Sequence, residues 1–265
     1  GVFEKGAARW INLFGLNFQP SEFLKLTTII YLSAIYSSEK KKKPLSNFFT
    51  IMGLVGIAFY AQSDLSTFAI IVAASLVIIF SANIKPKDVF LAGFISLISL
   101  FLLLIPIAYR ADRVLSVINP EQASDLHHKN QALISIGSGG LNGSGLGLSA
   151  QKFGFVPEAM SDSIFTIYAE ELGFLGCAFL IFILMFFTFY IFSIAKKSTP
   201  FPKLMAIGIG TWIVVQSFIN ILAMSGLFPI SGIPLPFLSY GGTHLVFELI
   251  AIGLLLNIAR SINKR

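Results

Sequence analysis

The sequence predicts an all-α polytopic membrane protein with about seven transmembrane helices, and three observations carry that prediction. Apolar residues make up 55% of the 265 and charged residues 12%, a balance a soluble domain of this length does not show. The apolar residues fall in long runs bounded by charge or by Pro and Gly. The basic residues collect in alternate connections between those runs, as expected when cytoplasmic loops retain Lys and Arg.

The spans follow in order along the chain. The first covers about 23–38 and is stopped by EKKKKP. The stretch 48–82 carries one charge, Asp64, and is too long for a single helix of about 20 residues, so it divides at QSDLST into two spans. The remaining spans are 89–109, 164–195, 204–228 and 245–259. Between 110 and 163 lies a polar, glycine-bearing segment too long for a simple connector, read as a large extracytoplasmic loop.

With the end of the first span placed in the cytoplasm, Lys40 to Lys43, Lys85, Lys87, Lys196, Lys197, Lys203, Arg260, Lys264 and Arg265 all fall inside. That is 12 of the 19 basic residues, joined only by Glu39 and Asp88 among the 13 acids. The net charge of +6 therefore reflects topology, and no nucleic-acid partner is expected. The C-terminus lies inside and the chain begins outside. This predicts the N-terminally truncated, C-terminal portion of a longer protein that lacks an odd number of upstream spans, with 1–265 a single integral-membrane domain. One cysteine, Cys177, excludes a disulfide framework, and no metal-ligand spacing is present.

The outer face then holds the chemistry. RWINLF reads as a short interfacial helix, with Trp10 at headgroup level and Arg9 toward phosphate. SIGSGGLNGSGLGLSAQK places six glycines between Gly137 and Gly147. No strand precedes it and it lacks a phosphate-loop ending. Gly139, Gly140, Gly143 and Gly145 suit either a flexible turn or a cradle whose amides approach a pyrophosphate. Asp162 lies at the outer mouth of a span, near Lys152, where partial desolvation suits a general base; a helix cap formed by Ser161 and Asp162 is the competing reading. Glu170, Glu171 and Glu248 are acids inside apolar runs, which implies a partner or a cavity. Arg110, Arg113, Lys129 and Lys152 are the candidate cations on that side, and His127, His128 and His244 read as solvated.

At this point the residues carry a resemblance. GAARWINL with QPSEFLKL, then SDLST, NQALISIGSGGLNGSGLGLSAQKFGFVPEAMSDSIF, AEELGFLG and GLFPISGIPLPFLSYGG resemble, in order, the signatures of the SEDS family, the shape, elongation, division and sporulation proteins of bacteria. The resemblance spans nearly the whole chain. It implies a ten-span protein of the bacterial cytoplasmic membrane, of which this chain supplies spans four to ten, with an extracytoplasmic active site. It further implies a glycosyltransferase that polymerises lipid II into peptidoglycan strands beside a class B penicillin-binding protein and other division or elongation proteins.

By this resemblance Asp162 is the catalytic carboxylate. Beyond the resemblance, from charge and side of the membrane, Lys152, Arg110, Arg113 and Lys129 are assigned to substrate with the glycine run, Ser239 and Gly241, and Glu170, Glu171, Asp64 and Arg9 are supporting. No particular cofactor is assigned, and a divalent cation is left open. The chain departs from the family at two places. MSDSIF stands where His-Thr-Asp-Phe-Ile-Phe is usual, and SDLST where Pro-Asp-Leu-Gly-Thr is usual. A lipid flippase lined by the buried acids, or a scaffold without chemistry, are the alternative functions.

Overall fold

The computed structural model describes residues 2–4, 7–13, 16–38, 44–62, 64–104, 126–151 and 157–263. Three short strands come first, β1 (Val2–Glu4), β2 (Ala7–Leu13) and β3 (Leu16–Phe18), forming an antiparallel sheet in that order. Among the described residues eight helices follow: α1 (Pro20–Ser37), α2 (Pro44–Ala61), α3 (Leu65–Ser81), α4 (Pro86–Leu104), α5 (Leu126–Ser138), α6 (Ile164–Lys197), α7 (Pro200–Met224) and α8 (Gly242–Asn263). The chain divides into two compact units. One comprises Gly1–Leu100, Thr188–Ile213 and Gly242–Arg265; the other comprises Phe101–Phe187 and Val214–Gly241.

The strands correct the interfacial helix expected at RWINLF and add a small sheet to a chain that is otherwise mostly helical, as expected. β2 pairs Trp10 with Val2 on one side and Ile11 with Phe18 on the other. Six residues of mixed polarity do not separate helix from strand by period alone, and the flanking segments supply ladder partners on both edges.

Helix boundaries follow local chemistry. α1, α2, α4 and α7 all begin at Pro, whose fixed φ and missing N–H suit the first helical position. α3 begins where Asp64 caps it: the carboxylate accepts from Thr67 N at 3.3 Å and from Thr67 Oγ1 at 2.8 Å. The apolar stretch 48–82 therefore does break at Asp64. Among the described residues, α2, α6, α7 and α8 are long and apolar enough to cross a membrane, and the protein is a multi-pass membrane protein.

In the first unit, α7 passes so close to α1 and α3 that a Cβ at Gly208 would meet Ile29 and Ile78 at 2.7 Å. The second unit has its own core of Ala132, Phe165, Leu180, Leu184, Ile221, Ala223, Met224 and Leu235. Phe165 of that core places the first turn of α6, and with it the segment bearing Asp162.

Candidate active site at the Asp162 turn

Asp162 sits in a turn at 157–163 that feeds α6. Glu158 adopts a left-handed conformation, φ 53°, and its carbonyl accepts from Ser161 N at 3.0 Å and Ser163 N at 3.1 Å. Ser163 immediately precedes α6, so the cap position belongs to Ser163 and Asp162 stands one residue further out. That corrects the expected cap of Ser161 and Asp162. Ser163 Oγ donates to Pro157 O at 2.9 Å. With that hydrogen committed, the 2.8 Å contact between His128 Nε2 and Ser163 Oγ has the imidazole as donor. His128, expected to be solvated, is half-buried against the turn, whereas His127 is exposed. His244 is also buried.

The motif SGIPLPFLSYGG braces the same turn through main-chain carbonyls. Ser239 Oγ donates to Ser161 O at 2.6 Å while accepting from Leu235 N at 2.7 Å. Tyr240 N donates to Met160 O at 2.8 Å. Asn220, buried on α7, donates through Nδ2 to Asp162 O and to Ile233 O, each at 2.7 Å. Gly232, at φ 65°, lies against the carboxylate, where an added Cβ would sit 3.2 Å from Asp162 Oδ2. Asp162 itself is half-buried, reachable by solvent yet held by several segments. Gly241 closes the same motif just before α8.

Glu170 and Glu171 anchor a different construction. α6 is broken at Gly173, φ 64° and ψ −162°, a backbone region essentially open only to glycine. The bonds that Phe174 and Leu175 would make inside a continuous helix are exchanged with the glycine run. Phe174 N donates to Gly140 O at 2.9 Å and Leu175 N to Leu141 O at 3.2 Å, while Ser144 N and Gly145 N donate to the carbonyls of Glu170 and Glu171 at 2.9 and 3.0 Å.

The approach is too close for side chains. A Cβ at Gly139 would lie 2.1 Å from Ala169 O, one at Gly143 2.1 Å from Glu171 O, and one at Gly173 2.4 Å from Gly143 N. The carboxylate of Glu170 completes the splice, accepting from Ser135 Oγ at 3.0 Å, Ser149 Oγ at 2.5 Å and Ala150 N at 3.1 Å. Glu171 Oε1 takes Ser149 N at 3.4 Å. The amides of Gly140, Gly143 and Gly145 are thus committed to protein carbonyls. Those three amides are not free to line the expected pyrophosphate cradle.

Of the candidate cations, Lys129 is half-buried on α5, its stem against the turn at Gly226, where a Cβ would lie 2.9 Å from Lys129 Cε. Arg110, Arg113 and Lys152 lie outside the described residues, as does the side chain of Arg9, whose backbone is part of β2. The second unit thus brings together Asp162, the glycine run, Glu170, Glu171, Lys129, Ser239 and Gly241, while Asp64 and Arg9 belong to the first. Among the described residues no three His, Cys, Asp or Glu side chains converge as a metal-ligand set.

Several residues escaped the sequence reading. Asn220 is a polar residue inside an apolar span, a signal that could have found it; His128 and Gly232 carry no such signal. In the first unit, Glu22 and Lys25 form a buried ion pair at 2.9 Å, both side chains 2% exposed. Lys25 Nζ also stands 4.7 Å from the ring centroid of Trp212, a cation–π contact. Glu22 Oε2 lacks an aligned hydrogen-bond donor, so the pair is held by charge and proximity. An acid and a base three residues apart in an apolar helix were the visible signal.

The chain matches the cell cycle protein family of FtsW, RodA and SpoVE over residues 1–264. It is 35% identical over 269 residues to the probable peptidoglycan glycosyltransferase FtsW of Geobacter sulfurreducens, covering 98% of this chain and 72% of that protein. To stage V sporulation protein E of Bacillus subtilis it is 38% identical over 272 residues, covering 98% of this chain and 73% of that one. Its fold is shared with a chain in the solved structure described as structural coordination of polymerization and crosslinking by a peptidoglycan synthase complex. That match has a TM-score of 0.79 at 22% identity, over 100% of this chain and 76% of that chain. The ordered motifs, the braced aspartate and these matches lead to one conclusion: the chain belongs to the FtsW/RodA/SpoVE family.

Proposed function

We propose that the protein is a peptidoglycan glycosyltransferase that polymerises lipid II at the outer face of the bacterial cytoplasmic membrane, with seven spans in this chain and its C-terminus in the cytoplasm. The names of its relatives support the activity. The observation that carries the site is the bracing of the Asp162 turn by Asn220, Ser239 and Tyr240 through main-chain carbonyls. Such bracing places a carboxylate by its backbone, as a general base requires if it is to meet a hydroxyl at a defined distance.

In this reading Asp162 takes the proton of the 4-hydroxyl of one lipid II. The oxygen bonds to the anomeric carbon at the lipid-linked end of the strand, and the bond from that carbon to the polyprenyl diphosphate oxygen breaks on the opposite face. Lys129, with Arg110, Arg113 and Lys152, offsets the charge of the departing diphosphate. Glu170, Glu171, Asp64 and Ser239 act on structure rather than on substrate. A class B penicillin-binding protein is the partner, a reading supported by the complex that shares the fold.

The test is glycan-strand formation from labelled lipid II by the full-length protein with its penicillin-binding partner, wild type against Asp162→Asn. Loss of polymerisation with intact partner binding upholds the reading. Polymerisation near the wild-type rate overturns it in favour of a flippase or scaffold.

A further inference from the structure

From Ala132 to Gln151 the sequence ALISIGSGGLNGSGLGLSAQ carries no charged residue. The outward stripe of α5 changes character along its length, from His127 and Asn130 to Leu133 and Ile134, all exposed. The glycine run continues the trend: Leu141, Leu146 and Leu148 are each about 70% exposed or more. Leaving such side chains in water forfeits ~1.5–3 kcal/mol apiece. The loop that carries them is stitched at both Glu170–Glu171 and Phe174–Leu175, so it is not free to fold them inward.

The stitching also sets their height. The part of α6 from Phe174 to Lys197 is ~36 Å long at 1.5 Å per residue, enough by itself for a hydrocarbon core of ~30 Å. Residues 164–172 are therefore not needed to cross it, and Phe174 and Leu175 beside the break are exposed on a helix apolar enough to span. The loop's backbone is prepared for that depth. Amides of Gly140, Gly143, Ser144, Gly145, Leu148, Ser149 and Ala150 all find acceptors within the protein, which irregular chain needs near hydrocarbon.

We propose that Leu133, Ile134, Leu141, Leu146 and Leu148 form a seating surface that enters the acyl chains of the leaflet nearest Asp162. Through the splice at Gly173 this seat fixes the height of the Asp162 turn above the bilayer, with Ile164 ~14 Å further along the helix axis. The occupant is phospholipid acyl chain, because Leu141 O is bonded to the amide of Leu175, which with Phe174 is exposed on a helix apolar enough to span a membrane. The inference stands on geometry and does not depend on the catalytic reading.

The test is nitroxide accessibility in the full-length protein reconstituted in phosphatidylethanolamine–phosphatidylglycerol vesicles. Cys177, the one cysteine of these 265 residues, is replaced by Ala together with any cysteine elsewhere in the full-length protein, and labels are placed singly at Leu146→Cys and Leu148→Cys. Glu158→Cys serves as the aqueous reference and Phe186→Cys as the lipid-facing one, both positions being exposed. Labels at 146 and 148 are expected to show oxygen-to-nickel accessibility ratios several-fold above the label at 158 and close to that at 186. Ratios matching position 158 overturn the proposal. So does shielding from nickel that appears only after a partner protein is added, which makes the surface a protein dock.

Discussion

Asp162 and Glu170 are eight residues apart on one segment, yet their surroundings treat them in opposite ways. At Asp162 the bracing bonds from Asn220, Ser239 and Tyr240 land on main-chain carbonyls of residues 160–162, and the half-buried side chain faces a glycine. At Glu170 they land on the carboxylate itself, which takes two hydroxyls and an amide in a buried site. The first arrangement uses these three donors to place a backbone. The second uses the acid as a structural acceptor that closes a break in a membrane helix. Intramembrane acids are commonly read as functional; here the location of the donors separates one kind from the other.

The largest expected effect sharpens that contrast. Asp162→Asn should lower strand polymerisation by ~10²–10⁴-fold with little change in thermal stability in detergent. Glu170→Ala should do the reverse. It leaves the Ser149 hydroxyl and Ala150 N–H without their acceptor, while Ser135 Oγ keeps Thr166 O at 3.1 Å, and should cost ~2 kcal/mol of stability, read as a lower midpoint of thermal unfolding, with activity following the folded fraction. The contrast breaks if Glu170→Ala abolishes polymerisation at an unchanged midpoint.

Ser239→Ala removes a donor to Ser161 O and an acceptor for Leu235 N, and should cost ~2 kcal/mol. A kcat that falls with KM unchanged would place that loss in the aim of Asp162. The smallest effect belongs to His128. His128→Leu should cost ~1 kcal/mol, and His128→Gln, which keeps a side-chain donor, should restore most of the activity. Equal loss in both variants would remove the hydrogen bond to Ser163 from the explanation.

Much of this was readable along the chain. Asp64 marked the boundary between α2 and α3 because a carboxylate in an apolar stretch is either a cap or a break, and it proved to be both. Prolines marked four helix starts for a local steric reason. The strand at RWINLF was not readable, since its ladder partners lie outside the hexapeptide. The break in α6 was hidden too: AEELGFLG fits a continuous apolar helix, and only the glycine run docking at Gly173 makes the interruption affordable. The same docking explains why that run looked like a ligand cradle. Glycines needed for close approach to a helix and glycines needed for close approach to a phosphate look alike in one dimension.

The sequence by itself determined the solvent, the helical segments and the family, because apolar content, run length, proline placement and ordered motifs are properties of neighbouring residues. Tertiary structure alone decided which acid is used for support, which histidine touches the Asp162 turn and where the helix breaks. Those outcomes rest on hydrogen bonds between residues 20 to 78 positions apart, whose partners no local pattern names, and which form only when packing brings the segments within reach of one another.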